Sequence, residues 1–221
     1  MKRLRIACLH TADSNIVVFE AAALELGRVD LTLRHVVRAD LLAAAEAAGG
    51  VTEAITVQTR AALAALRPDA DAVLLNCSTL GAAADAMADE AGVPIMRVDR
   101  ALAEAALREG GKIVVLCTTP TTVGPTTALF DNVAGARGVA VEVRLVAGAW
   151  ALFRGGDQAG YFAAIVRAAE NAYADGAQVV ALAQASMVGA AALVRTGRKP
   201  LSSPLAGLRA AVAAVDSVRS T

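Results

Sequence analysis

Aromatic residues are scarce in this chain. Phe, Trp and Tyr together make up 3% of 221 residues, too few to build stacking platforms for single-stranded nucleic acid. Charge of either sign is not in excess either. Twenty-one basic residues balance 21 acidic ones, so no surplus of Lys and Arg exists to hold a phosphate backbone. Nucleic acid is therefore excluded as the main ligand, and a small molecule is expected instead. Cysteine is sparse and odd in number, at three, and there are two histidines. No CxxC, paired-histidine or HExxH pattern occurs, which argues against a disulfide scaffold and a structural metal site. Reduced thiols point to the cytoplasm. Met1-Lys2-Arg3 has the charge of a signal n-region, but Arg5 follows, and the apolar run from Ile6 to Leu9 is too short for an h-region.

One uncharged stretch is nearly long enough to span a membrane. Residues 176–194 carry no charge, but Gln178, Gln184, Ser186 and two glycines interrupt them. A buried strand, a polar turn and an Ala-rich helix account for that stretch, and no membrane span is expected. GxGxxG and Walker A patterns are missing as well. Gly110-Gly111 precedes a strand, the wrong order for a nucleotide-binding turn.

What remains is 56% hydrophobic, enough to bury a substantial core. Short β-branched or Leu-rich runs alternate with Ala-rich helical stretches. Strands are read at 4–9, 29–36, 72–76 and 94–98, then at 112–117, 140–146, 178–183 and 200–202. Helices fit 14–26, 52–66, 81–91 and 100–108, then 121–136, 158–174, 188–196 and 205–218. A loop is expected after Trp150, ending at Gly155-Gly156. Such alternation predicts an α/β fold with mostly parallel sheets flanked by helices.

The chain also repeats itself. Cys8-Leu9-His10-Thr11 corresponds to Cys117-Thr118-Thr119-Pro120, and Leu75-Asn76-Cys77-Ser78-Thr79-Leu80 to Leu182-Ala183-Gln184-Ala185-Ser186-Met187. In register, Cys77 falls opposite Gln184. The joints repeat too, since a Pro-led strand runs into a helix at 94–108 and again at 200–218. The duplication predicts two pseudo-symmetric domains, 1–98 plus 205–221 and 99–204, with an active-site cleft between them. The Ala-rich helix surfaces permit a homo-oligomer.

Ligands of open α/β sheets bind beyond the carboxyl ends of the strands. Four loops qualify: 10–15, 76–81, 118–122 and 184–189. Hydroxyls, amides and backbone N–H groups at helix starts favour a carboxylate there. Cys77 is the candidate catalytic atom. It follows a buried strand, and Ser78 and Thr79 can cap the next helix, a position that lowers a thiol pKa. The competing reading is an inert buried cysteine, which is the reading given to Cys8 and Cys117. His10, Asn76, Ser78, Thr79, Thr118, Thr119, Thr122, Gln184 and Ser186 are the candidate substrate-binding residues. For the threonines, helix capping around Pro120 is an alternative that can coexist with binding. His10 can act as acid or base near neutrality or merely orient a loop. His35 reads as a solvated strand-end side chain, and Trp150 and Phe153 as core residues or a roof.

The motifs around Cys77, the strand–Thr loop at 115–122 and the segment at 182–187 resemble those of the aspartate/glutamate racemase superfamily. The resemblance covers most of the chain. It implies two pseudo-symmetric α/β domains, no cofactor and a small carboxylic acid as substrate. It also implies one cysteine on each face of the substrate carbon. The first matches Cys77, but the second should lie where Gln184 stands, and an amide neither accepts nor delivers a proton near neutral pH. The expectation is a cofactor-independent isomerase or racemase-family enzyme with Cys77 as acid, base or nucleophile. Two alternatives are a decarboxylase of a malonate-type acid, as arylmalonate decarboxylase keeps one cysteine, and a non-catalytic carboxylate-binding protein on the same fold.

Overall fold

The computed structural model describes residues 3–88, 90, 92–135 and 138–219. Met1 and Lys2, and the expected helix ends at Ala91 and Ala136, lie outside them. The chain divides into two compact units, Met1–Ala101 with Pro204–Thr221, and Leu102–Ser203.

The first unit runs β1 (Leu4–His10), α1 (Ser14–Leu26), β2 (Leu31–Val37), α2 (Ala39–Ala47), α3 (Glu53–Ala64), β3 (Ala72–Leu75), α4 (Ala82–Asp85), β4 (Ile95–Arg97) and the start of α5 (Val98–Glu109). Its sheet has the order β2-β1-β3-β4, all pairs parallel. Strand residues alternate between faces. Ala7, Leu9, Val73 and Leu75 point to one face and pack with Leu41 and Ala45 of α2 and Ile55 and Leu63 of α3. Leu4, Ile6, Cys8 and His10 point to the other, where Phe19 of α1 meets the His10 ring at 5.2 Å.

The second unit continues with β5 (Ile113–Cys117), α6 (Pro120–Ala134), β6 (Val141–Leu145), α7 (Ala149–Arg154), α8 (Gln158–Ala174), β7 (Val179–Leu182), α9 (Val188–Ala191), β8 (Leu201–Ser202) and the first residue of α10 (Ser203–Arg219). Its order, β6-β5-β7-β8, is parallel throughout and repeats that of the first unit. One face of its sheet packs Val114, Leu116, Val180 and Leu182 against Tyr161, Ile165 and Ala169 of α8. The other packs Ile113, Val115 and Cys117 against Leu102, Ala106 and Phe130. Most of α10 belongs to the first unit, where Gly207 lies so close to Val98 that a Cβ there would overlap its side chain.

Four elements differ from the sequence reading. Residues 39–47 form α2, since Leu41 and Ala45 are spaced to bury one helical stripe. The expected loop after Trp150 is α7, which stops at Gly155. The helices expected at 81–91 and 188–196 are single turns, α4 and α9. After α4 the N–H groups of Met87 and Ala88 bond three residues back, to Ala84 and Asp85, in place of the four-residue helical step. Among the described residues no helix is long and apolar enough to cross a membrane.

Candidate active site

In the first unit β3 ends at Leu75 and the chain turns sharply. The N–H of Leu80 bonds to the Cys77 carbonyl and that of Gly81 to Ser78, each at 3.2 Å. Gly81 is the residue before α4 and offers no side chain to cap it. The turn folds back around the Cys77 thiol. The Thr11 hydroxyl and the backbone N–H groups of Leu80 and Thr79 hydrogen-bond to Sγ. Asn76, Cys77, Ser78 and Thr79 are all buried.

The protonation of Cys77 runs against the sequence expectation. Burial pushes the thiol above its ordinary range and is the largest effect. The Thr11, Leu80 and Thr79 donors pull the other way, and the nearby Asp99 carboxylate raises it further. Cys77 is therefore held as a thiol, with donors in place to receive a thiolate.

A buried ion pair lies beneath the turn. Arg97 and Asp99 are 6% and 2% exposed. Nε and Nη2 of Arg97 donate to the two Asp99 oxygens at 2.6 and 2.7 Å, and Nη1 donates to Asp85 at 2.6 Å. The guanidinium fills the space beside Gly81 that a Cβ would need. Neither residue was singled out from the sequence. The available signal was an arginine and an aspartate two residues apart at the end of a short apolar strand.

His10 is fully buried at the end of β1. Its Nδ1 lies 3.1 Å from Asn76 Nδ2 and its Nε2 2.8 Å from His35 Nδ1. His35 Nε2 in turn lies 2.9 Å from Glu20 Oε1. His35 is thus a half-buried link in a chain of hydrogen bonds and not a solvated side chain, because parallel pairing sets it beside Cys8. Burial, followed by the neighbouring His35, pushes the His10 pKa down to about 3, so the ring is neutral.

In the second unit Gln184 and the threonine loop form one cradle. Gln184 Oε1 accepts from the Thr118 N–H at 2.6 Å and the Thr118 hydroxyl at 2.9 Å. Its Nε2 donates to Thr119 Oγ1 at 2.7 Å. Thr119 precedes α6 but makes no side-chain cap, so its hydroxyl serves Gln184. The Thr122 N–H bonds back to the Thr119 carbonyl at 3.0 Å. Thr118 Oγ1 lies 3.3 Å from Tyr161 Oη, which lies 2.8 Å from Ser186 Oγ. Tyr161 is fully buried and links Thr118 to Ser186; its signal in the sequence was its rarity, as one of two tyrosines. Phe153 sits against the Tyr161 ring at 5.1 Å, and Trp150 stacks on Phe153 at the same distance.

Cys8 and Cys117 are buried within strands as expected, and all three cysteines are free of disulfides.

The model of the Asp/Glu/hydantoin racemase family matches residues 19–215. No curated protein sequence matches the chain. Among solved structures, allantoin racemase from Pseudomonas fluorescens is 21% identical with a TM-score of 0.68, over 97% of this chain and 92% of that one. An aspartate racemase homologue from Pyrococcus horikoshii is 19% identical with a TM-score of 0.66, over 98% and 100%. Picrophilus torridus aspartate racemase is 13% identical with a TM-score of 0.70, over 98% and 95%.

Proposed function

The chain belongs to the Asp/Glu/hydantoin racemase family and has its racemase-like fold of two α/β domains, and from that premise we propose a cofactor-independent proton transfer, carried by Cys77, at the carbon beside the carboxylate of a small acid. The setting of the Cys77 sulfur carries this reading. A buried thiol with one hydroxyl and two backbone N–H donors aimed at it is poised to give up a proton and hold the resulting thiolate. In the other direction the thiolate takes the α-proton, and the charge left on the substrate spreads into its carboxylate as an enediolate. Asn76, Ser78 and Thr79 share the turn with the thiol and are assigned to substrate binding. The hydroxyls and amide of Thr118, Thr119, Thr122, Gln184 and Ser186 have the chemistry to hold a carboxylate.

Racemisation by two thiols requires one on each face of the carbon. The corresponding turn of the second unit carries Gln184, whose amide is not an acid or a base near neutral pH. One-sided exchange or isomerisation fits this residue set better than two-thiol racemisation. The single thiol also favours a second reading, decarboxylation of a malonate-type acid. There, loss of CO2 generates the carbanion and Cys77 supplies the one proton required.

The test is α-hydrogen exchange in deuterated water, followed by NMR over a panel of small carboxylic and dicarboxylic acids. An accepted acid exchanges with the native chain and not with Cys77→Ser. Iodoacetamide should abolish the exchange, and the acid should protect against it. Full activity after stoichiometric alkylation of Cys77 would overturn the proposal.

A further inference from the structure

Beyond this reaction, we propose that Cys8, His10 and His35 form a three-ligand site for a divalent transition metal of zinc type. The site lies on the face of the first unit's sheet that α1 covers, and it does not depend on the reaction proposed for Cys77.

The placement follows from strand geometry. Cys8 and His10 are two residues apart on β1, so they share a face. Parallel pairing sets His35 of β2 beside Cys8, which adds it to that face. One donor atom from each of the three falls within 4.8 Å of the others. Two imidazoles and a thiol are the donors that borderline-soft ions prefer. Tetrahedral coordination needs edges between ligand atoms of about 3.3–3.7 Å. The 2.8 Å His10–His35 contact opens by about half an ångström to reach this, and the sulfur draws in.

The groups around the cluster fit it as well. Glu20 accepts only, so His35 Nε2 carries its proton toward Glu20 and leaves Nδ1 as a lone pair. A carboxylate that orients a histidine from behind is the usual outer support of such sites. His35 Nδ1 then accepts from His10 Nε2–H, and His10 Nδ1 accepts from the Asn76 amide. That leaves Asn76 Oδ1 buried without a hydrogen-bond partner. Metal binding satisfies it. Cys8 releases its thiol proton to solvent and ligates through the thiolate. His10 moves its proton from Nε2 to Nδ1, and the Asn76 amide turns over to accept it on Oδ1. His10 Nε2 and His35 Nδ1 then bind the ion, and water is the fourth ligand. One proton leaves for each ion bound.

The intact chain, freed of metal and titrated with Co2+, tests the site. One equivalent should produce a thiolate-to-cobalt charge-transfer band and release one proton, and Zn2+ should displace the cobalt. Cys8→Ser should remove the band, whereas Cys77→Ser and Cys117→Ser should keep it. His35→Gln and Glu20→Gln change groups at the edge of the fold. Folded by circular dichroism, they should weaken binding at least tenfold. The Glu20 variant would act only through His35. These two variants decide the matter if Cys8→Ser fails to fold. No band at millimolar Co2+ would overturn the site. So would a band that follows Cys77 or Cys117, or affinity unchanged in folded His35→Gln.

Discussion

Asp99→Asn is expected to weaken the fold and quicken Cys77 at the same time. Asp99 is 2% exposed and receives two hydrogen bonds from Arg97. The asparagine keeps one acceptor but turns an N–H group toward a guanidinium N–H. Removing one partner of a buried pair costs about 3–5 kcal/mol, because the other charge stays buried. Asp85 still holds Arg97 Nη1, which places the loss near the lower end, about 3 kcal/mol. For a chain of this size that is a fall in Tm of about 6–12 °C. Asp99 also raises the Cys77 pKa through its charge. Its loss therefore increases the thiolate fraction at fixed pH and speeds alkylation of Cys77. Thermal unfolding measures the first effect. Mass spectrometry of iodoacetamide-treated protein measures the second, with unmodified Cys8 and Cys117 showing that the fold is intact. The double variant Arg97→Met/Asp99→Leu should lose less stability than Asp99→Asn, since no buried charge is stranded. Unchanged Tm, or slower alkylation of folded Asp99→Asn, would refute the reasoning.

Thr118→Val removes a hydroxyl that donates to Gln184 and contacts Tyr161. It should lower stability by about 1–3 kcal/mol, the penalty for buried polar groups left unpaired, as measured by urea unfolding. In the native protein the rate of Cys77 alkylation should keep rising with pH beyond the ordinary thiol range, because burial holds the thiol protonated; a plateau at or below that range would contradict this. Both tyrosines are raised above their ordinary value, chiefly by burial. The folded chain keeps their protons longer than the unfolded chain does. The stability they contribute is complete below the ordinary phenol pKa and is lost as pH rises through the higher folded values. Absorbance titration should show tyrosinate appearing late and together with unfolding.

The strands and the duplication were legible because apolar runs bounded by turn residues announce themselves, and two copies of one pattern reinforce each other. Cys77 and the Thr118–Thr119 pair stood out as polar strings directly after buried strands. The sign of the Cys77 shift did not. Asn76, Ser78 and Thr79 are polar, and polar residues in a loop give no sign of burial, yet all are buried, so desolvation outweighs the donors. His35 was missed because its neighbours are set by register between strands, which sequence spacing does not reveal. Arg97 was missed because a charge in a short apolar strand gives no hint of the two carboxylates that neutralise it. Helix α7 was hidden by its brevity and by the glycines that follow it.

The path of the chain through its two units bears on how the protein is made. The second unit is one unbroken stretch, Leu102–Ser203, while the first is split around it. Helix α10 supplies the missing wall of the first unit. Asp216 pairs with Arg28, and Arg219 with Asp71. During synthesis the opening hundred residues therefore emerge without that wall. The later unit has all its own parts first and can close while the earlier one waits. Birth order and completion order are reversed, and the stretch at 204–219 acts as the latch that finishes what the first strand began.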